Sequence, residues 1–232
     1  MHFEVLVEGE TDQTALEALM GRLLGAGGAR HTWRIHPHRG KGALPHDPWR
    51  KPDEDNHTLL HVLPAKLRAY GGSLGPSGAV VVLVDLDRDD CAELKRSLTD
   101  LLELCRPVPR ALFRIAIEEI EAWFLGDPDA VIAAYPHAKR EVLGAYVQDS
   151  ICGTWEQIAD AVHPGGADAL KRRGRHAPLE AKGRWAGAIP PRMDVERNAS
   201  PSFRCFRDGL RRLAAEDKGS PRAVTPPGHR GT

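Results

Sequence analysis

An α/β fold, a mostly parallel sheet flanked by helices, is what three stretches of this sequence predict. Ala79 to Val84 is an unbroken apolar run, AVVVLV, that breaks into the four acids of DLDRDD. A β-branched run without polar alternation fits a strand buried on both faces, as in a parallel sheet covered by helices. His2 to Val7 leads through Glu8-Gly9-Glu10-Thr11-Asp12 into QTALEALMGRLLG, a strand, an acidic turn and a helix. Arg110 to Ile117 runs directly into Glu118, Glu119 and Glu121. Three strands therefore end in carboxylates, at the edge where open α/β sheets bind ligands.

In chain order, the first strand delivers Glu8 at its end, too early to cap the helix, whereas Thr11 or Asp12 is placed to be an N-cap. Leu16, Leu19, Met20, Leu23 and Leu24 keep helical spacing. HTWRIHPH, His31 to His38, is the second strand, followed by an irregular stretch containing Gly40-Lys41-Gly42. This is not a Walker A loop, because Ile35 stands where its first glycine would be and Gly42 where its Ser/Thr would be. Lys41 can still touch a phosphate; a solvated loop lysine is the alternative. His36, His38, His46, His57 and His61 show no zinc spacing and stay unassigned.

Thr58 to Tyr70 is apolar at helical spacing, with Pro64 expected to kink or split it. After the acidic strand, Asp89 or Asp90 can cap a helix that ends before Pro107. On an extended chain Asp85 and Asp87 lie on the same side, which makes them a metal-binding pair. If helix begins at Glu118, then Glu118 and Glu121 share a face. Clustered carboxylates repel unless a cation neutralises them. Magnesium, held by one or two carboxylates plus waters and substrate phosphates, is the fitting ion.

Beyond Ala130 the chain reads as helical. Asp127-Pro128 forms an N-cap and N1 pair, Thr154 to Gln157 has capping-box form, and Pro178–Ile189 and Ser202–Glu216 are helix candidates. In the last, Phe203, Phe206, Leu210 and Leu213 form an inward stripe, with Arg204, Arg207 and Arg211 on another face. With Arg172 and Arg173 these offer a surface for a phosphate backbone; a solvated basic face is the alternative. Residues 218–232, rich in Pro and Gly, are expected to be disordered.

Lys and Arg together number 32, as do Asp and Glu, so the chain is neutral overall. Yet residues 1–130 hold 21 acids and 15 bases and the remainder 11 acids and 17 bases. Either an acidic half gathers a metal beside a basic half that meets a polyanion, or the halves dock on each other. No apolar run reaches membrane-span length and no signal segment is evident, so a cytoplasmic protein without a membrane partner is expected. The four cysteines lack CxxC spacing, which argues against a zinc site or disulfide framework.

The series VEGETD, GKG, VDLDRDD, IEEIEAWFLGD and SPSF resembles a TOPRIM-like family of prokaryotic proteins, a domain of unknown function of the 4276 type. More broadly, a strand-end Glu followed by a strand-end DxD resembles the TOPRIM domains of topoisomerases, primases and OLD-family nucleases. The resemblance implies a TOPRIM-like (Rossmann-like) domain over residues 1–127, with a helical extension over 128–217 packed on it. It implies that Glu8 acts as general acid or base and that Asp85 and Asp87 hold Mg²⁺ or Mn²⁺. Glu118 and Glu121 match a further acidic patch, and Asp12 lies in the matching turn. The expected activity is metal-dependent phosphodiester hydrolysis on nucleic acid, in a defence or repair module beside an ABC- or AAA-type ATPase. A non-catalytic partner of that ATPase is the alternative. A haloacid dehalogenase-type phosphatase fits less well, since its DxD follows the first strand.

Overall fold

The two-sided burial expected of the apolar run is met in full: in the computed structural model, β3 (Gly78–Asp85) has no side chain from Ala79 to Val84 more than 2% exposed. Residues 1–25 and 30–216 are described. β3 pairs in parallel with β1 (His2–Val7) on one side and β4 (Ala111–Ala116) on the other, and β2 (Thr32–Pro37) pairs in parallel with β1. The order is β2-β1-β3-β4, so the chain leaves β1 outward to β2 and then crosses back to β3. The β1/β3 boundary is the topological switch point of the sheet, where connections diverge and open a crevice at the C-terminal strand ends.

Alternate residues of β1 and β3 face opposite layers. Phe3, Val5, Val81 and Leu83 belong to a core built with α1 (Glu10–Leu23) and the C-terminal helices. Leu6, Val80, Val82 and Val84 pack with α2 (Leu59–Ser73) and α3 (Cys91–Glu103) on the other face. After β4 come α4 (Glu121–Leu125), α5 (Pro128–Ala134), α6 (Arg140–Gly144), α7 (Thr154–Val162), α8 (Gly166–Arg172), α9 (His176–Ala188) and α10 (Pro201–Glu216). α9 and α10 pack on α1, and α10 also covers β4. The segment expected as an extension thus shares one continuous buried cluster with the sheet, from Phe3 through Trp123 to Leu213.

Local chemistry explains most element boundaries. The Asp90 carboxylate accepts the Glu93 N–H at 2.9 Å and starts α3, and Asp127 accepts that of Ala130 at 3.1 Å ahead of Pro128. Two expected caps fall elsewhere. The chain turns at once after β1, so Gly9 is the N-cap of α1, and Asp12, three residues on, reaches back to accept the Gly9 N–H at 3.0 Å. Gly153, at φ +85°, precedes α7 in place of Thr154. Pro64 does not split α2, which runs unbroken with the ring buried. The helix loses only the bond Pro64 would have donated to Leu60, while its ring fills the core. The expected tail at 218–232 lies outside the described residues. Among those residues no helix is long and apolar enough to cross a membrane, and all four cysteines are free.

The seam between sheet and C-terminal helices is stitched by Trp123. Its ring packs against Phe203 and Phe206, with centroids 5.4 and 5.0 Å away, and its indole N–H donates to Ser202 Oγ at 3.0 Å. Because sheet and helices share this core, Trp123→Ala is expected to cost about 3–5 kcal/mol. Urea unfolding followed by far-UV circular dichroism and by fluorescence should still give coincident single transitions; two separate transitions would show that the halves fold independently.

Candidate active site

Register places the acids. Leu6 pairs with Val82, so extending β1 by two residues sets Glu8 level with Val84, at the mouth of the switch-point crevice. The Asp85 N–H donates to Glu8 Oε1 at 2.8 Å. Around this pair stand Asp12 from the first turn of α1, Glu119 from the loop after β4 and Glu121 from the start of α4. Burial pushes each of these carboxyls upward. Glu8 rises to about 7, aided by the charges of Asp12 and Asp87 and opposed by the Asp85 amide. Asp12 rises to about 6 despite the Gly9 amide, and Glu119 to about 7 with help from Glu121. Asp85 is held well above the usual carboxylate range by removal from water, then by Asp12, Glu8 and Glu121.

Lys182, from α9, supplies the counter-charge. Its Nζ lies 3.1 Å from a Glu119 oxygen and 3.5 Å from a Glu121 oxygen. Burial alone would pull this ammonium down, but Glu121, Glu119 and Asp85 outweigh that and hold it above the usual lysine range. Glu121 itself is fully buried and depends on the Lys182 ammonium, 3.5 Å from one of its oxygens, for its counter-charge. Because that ammonium is shared with Glu119, the buried Glu121 carboxylate keeps lone pairs that a further partner could fill.

The remaining predicted residues are placed differently. β3 ends at Asp85, and Asp87 adopts φ +52° in the turn beyond, so alternation along an extended chain no longer pairs the two. Asp87 is exposed and binds Lys41 at 3.2 Å, although its charge still reaches Glu8. Lys41 is folded onto the acidic turn, donating to the Leu86 carbonyl at 3.0 Å and pairing with Asp89 at 2.6 Å. Gly40 and Gly42, at φ +92° and +66°, make that placement possible, and a Cβ on Gly42 would meet Thr58 Oγ1 at 2.0 Å. Lys41 therefore neutralises the acidic loop instead of extending freely toward solvent.

The shared face expected for Glu118 and Glu121 does not form, because the helix begins only at Glu121. Glu118, at φ +61°, turns the other way and accepts backbone N–H bonds from Cys152, Gly153 and Thr154 at 2.9 to 3.2 Å. It serves as the cap of α7 that the Thr154 hydroxyl does not provide. Arg207 and Arg211 are also spent internally. Arg207 donates to the Val195 and Glu196 carbonyls, and Arg211 to the Leu23 carbonyl while pairing with Glu196. Arg172, Arg173 and Arg204 are exposed.

Glu119 and Lys182 are the members of the cluster that sequence reasoning missed. Lys182 lies three, four and seven residues before Trp185, Ala186 and Ile189, all buried, so a lysine on the apolar stripe of its helix was the available signal. Among the described residues no group of three or more His, Cys, Asp or Glu is placed to hold a metal ion by itself. A magnesium-type ion needs only one or two carboxylates beside waters and phosphate oxygens. The hard oxygen donors of the Asp85 and Glu121 carboxylates fit that requirement.

An all-parallel sheet with carboxylates crowding its switch point defines a Rossmann-like α/β protein with a polar site at the C-terminal strand edge. The chain belongs to the family described as Domain of unknown function (DUF4276), whose model matches residues 7–211. No curated protein and no solved structure matches it.

Two outcomes follow from this geometry. Between about pH 4.5 and 7 the folded chain keeps protons on Glu8 and Glu119 that the unfolded chain has released. Stability should therefore fall as pH rises through that window, by on the order of 2 kcal/mol, seen as a lower urea midpoint at pH 7.5 than at pH 5 in EDTA. Glu118→Ala should lose about 1–2 kcal/mol through the uncapped α7. Replacing Glu118 with Gln, which retains one acceptor oxygen, should recover part of it in the same urea titration.

Proposed function

We propose that the protein is a divalent-metal-dependent phosphodiesterase acting on nucleic acid, of the TOPRIM type. The observation that carries this proposal is the convergence of Glu8, Asp85 and the fully buried Glu121 carboxylate at the switch point. Perturbed carboxyls gathered in such a crevice are the usual signature of a site poised for proton transfer or metal binding. Asp85 and Glu121 would hold Mg²⁺ or Mn²⁺, which when bound would polarise the scissile phosphate and stabilise charge on the leaving oxygen. Glu8, with a carboxyl near 7, can take or give a proton at neutral pH at the attacking or leaving oxygen. The Asp85 amide holds one Glu8 oxygen in place. Lys182 orients Glu119 beside Glu121, and Lys41 holds the 86–89 turn against the site.

A second reading is favoured by the same two lysines. Because Lys41 and Lys182 already compensate the acids, the edge can rest without substrate, as suits a regulatory partner that binds metal or nucleotide and gates an ATPase.

Cleavage of plasmid, single-stranded DNA and RNA with Mg²⁺ or Mn²⁺ separates the two. Wild type should cleave, and Glu8→Gln and Asp85→Asn should each lose about a hundredfold or more. Millimolar Mg²⁺ should raise the Tm of wild type at pH 7.5 and leave that of Glu121→Gln unmoved. Magnesium-dependent stabilisation without cleavage by the folded protein would overturn the nuclease in favour of the regulatory partner.

A further inference from the structure

Beside the acidic edge, at the C-terminal end of β2, lies a cavity of about 630 Å³ whose lining is cationic. Arg34, Arg39 and Lys66 contribute to its wall together with His36, His38 and His57, and Glu10 is the acid among them. Its frame is tied directly to the site. The His38 N–H donates to the Val7 carbonyl at 3.1 Å, Gly40 to that of Glu8 at 2.9 Å, and Arg39 to that of His57 at 3.1 Å. Adjacent strands run about 4.8 Å apart, so this cavity stands one strand from Glu8.

The three cations differ from the arginines that the fold consumes. Arg22, Arg68, Arg114, Arg207 and Arg211 are each held by main-chain carbonyls. Arg34, Arg39 and Lys66 make no side-chain hydrogen bond or ion pair among the described residues. Lys66 is half-buried, and burial pulls its ammonium below the usual lysine range with only partial relief from Glu4. A half-buried ammonium without a partner costs free energy that an anion in the cavity would recover. His36 is already engaged by Glu4 and does not cancel the charge. His38 gives its Nδ1–H to the Val7 carbonyl at 2.8 Å, which fixes the ring as part of the wall.

We infer that this cavity is a phosphate-binding subsite, in which Arg34, Arg39 and Lys66 seat one phosphate of a nucleic-acid strand while the neighbouring acidic edge meets the next part of the chain. The assignment of the phosphate to nucleic acid rests on the proposed function; the anion site itself does not. Two guanidinium forks and one ammonium suit a phosphate, since Arg donates in the planar pairs that phosphate oxygens accept and Lys acts as a point charge. The subsite also explains why the basic residues of α10 need not carry the polyanion, as Arg207 and Arg211 are tied into the fold.

The test is binding of a fluorescein-labelled single-stranded oligonucleotide by anisotropy, in EDTA so that turnover plays no part, over a series of salt concentrations. Arg34→Gln/Arg39→Gln, both at exposed positions, should weaken binding at least about tenfold and lower the salt slope by about 0.7, the share of one phosphate on a single strand. Arg172→Gln/Arg173→Gln, which removes the same charge elsewhere, should stay within twofold of wild type, and Lys66→Met should reproduce the loss. Inorganic phosphate should raise the Tm of wild type and not that of the Arg34/Arg39 variant. If wild type binds the oligonucleotide and the Arg34/Arg39 variant binds equally well, the subsite is overturned while the nucleic-acid reading stands. If wild type binds no oligonucleotide but phosphate still stabilises it through Arg34 and Arg39, the anion site stands and the nucleic-acid assignment falls. Neither response sinks the subsite.

Discussion

A single ammonium, Lys182, sits among the carboxylates of Glu119, Glu121 and Asp85, and the arrangement of the molecule turns on that compensation. Parallel pairing brings the ends of β1 and β3 side by side, so Glu8 and Asp85 cannot avoid each other. Removing several like charges from water without a counter-ion would be prohibitive. The counter-charge comes from α9, more than sixty residues further along the chain than Glu119, and it arrives only if α9 docks on α1. Arg22 fastens that docking by donating to the Pro190 and Met193 carbonyls just after α9. The helical half therefore completes the electrostatics of the sheet edge as well as its apolar core.

Much of this was legible in the sequence because it rests on local patterns. The run from Ala79 to Val84 announced a central strand, Asp90 and Asp127 announced helix starts, and the Phe203 to Leu213 stripe announced the inward face of α10. Strand ends were legible too, which is why Glu8 and Asp85 could be placed at one edge. What failed was the continuation of a pattern past its element. Alternation was carried beyond Asp85 to Asp87, and helical spacing was carried back from Glu121 to Glu118, yet both Asp87 and Glu118 adopt positive φ and leave the pattern. Glu119 was passed over for the same reason. Partners distant in sequence, such as Lys182 for Glu121, or Leu23 and Glu196 for Arg211, leave no spacing signal.

The motifs of the chain also divide by purpose once they are placed. VEGETD and VDLDRDD supply the edge acids, and GKG supplies the lysine that restrains the acidic turn. SPSF and the tryptophan of IEEIEAWFLGD instead lock the fold: Ser200 and Ser202 hold the Asp149 carboxylate, and Asn198 donates to the Trp123 carbonyl at 2.8 Å. Ala199 closes the same seam by donating to the Gly126 carbonyl at 2.7 Å, and a Cβ on Gly126 would meet Asn198 Oδ1 at 2.3 Å. Invariance of such residues in relatives would speak of packing, whereas invariance of Glu8 or Glu121 would speak of chemistry.

Glu121 has one more implication. A fully buried carboxylate that must share its ammonium with Glu119 is something the bare fold would be better without, and an uncharged side chain of similar volume there removes its repulsion of Glu119 and Asp85. Resistance to heat and fitness for purpose are then set against each other at one position. A screen that rewarded thermal survival alone would be drawn to Glu121 early, and its winners would be sturdier proteins that had given up whatever that carboxylate was kept to grasp.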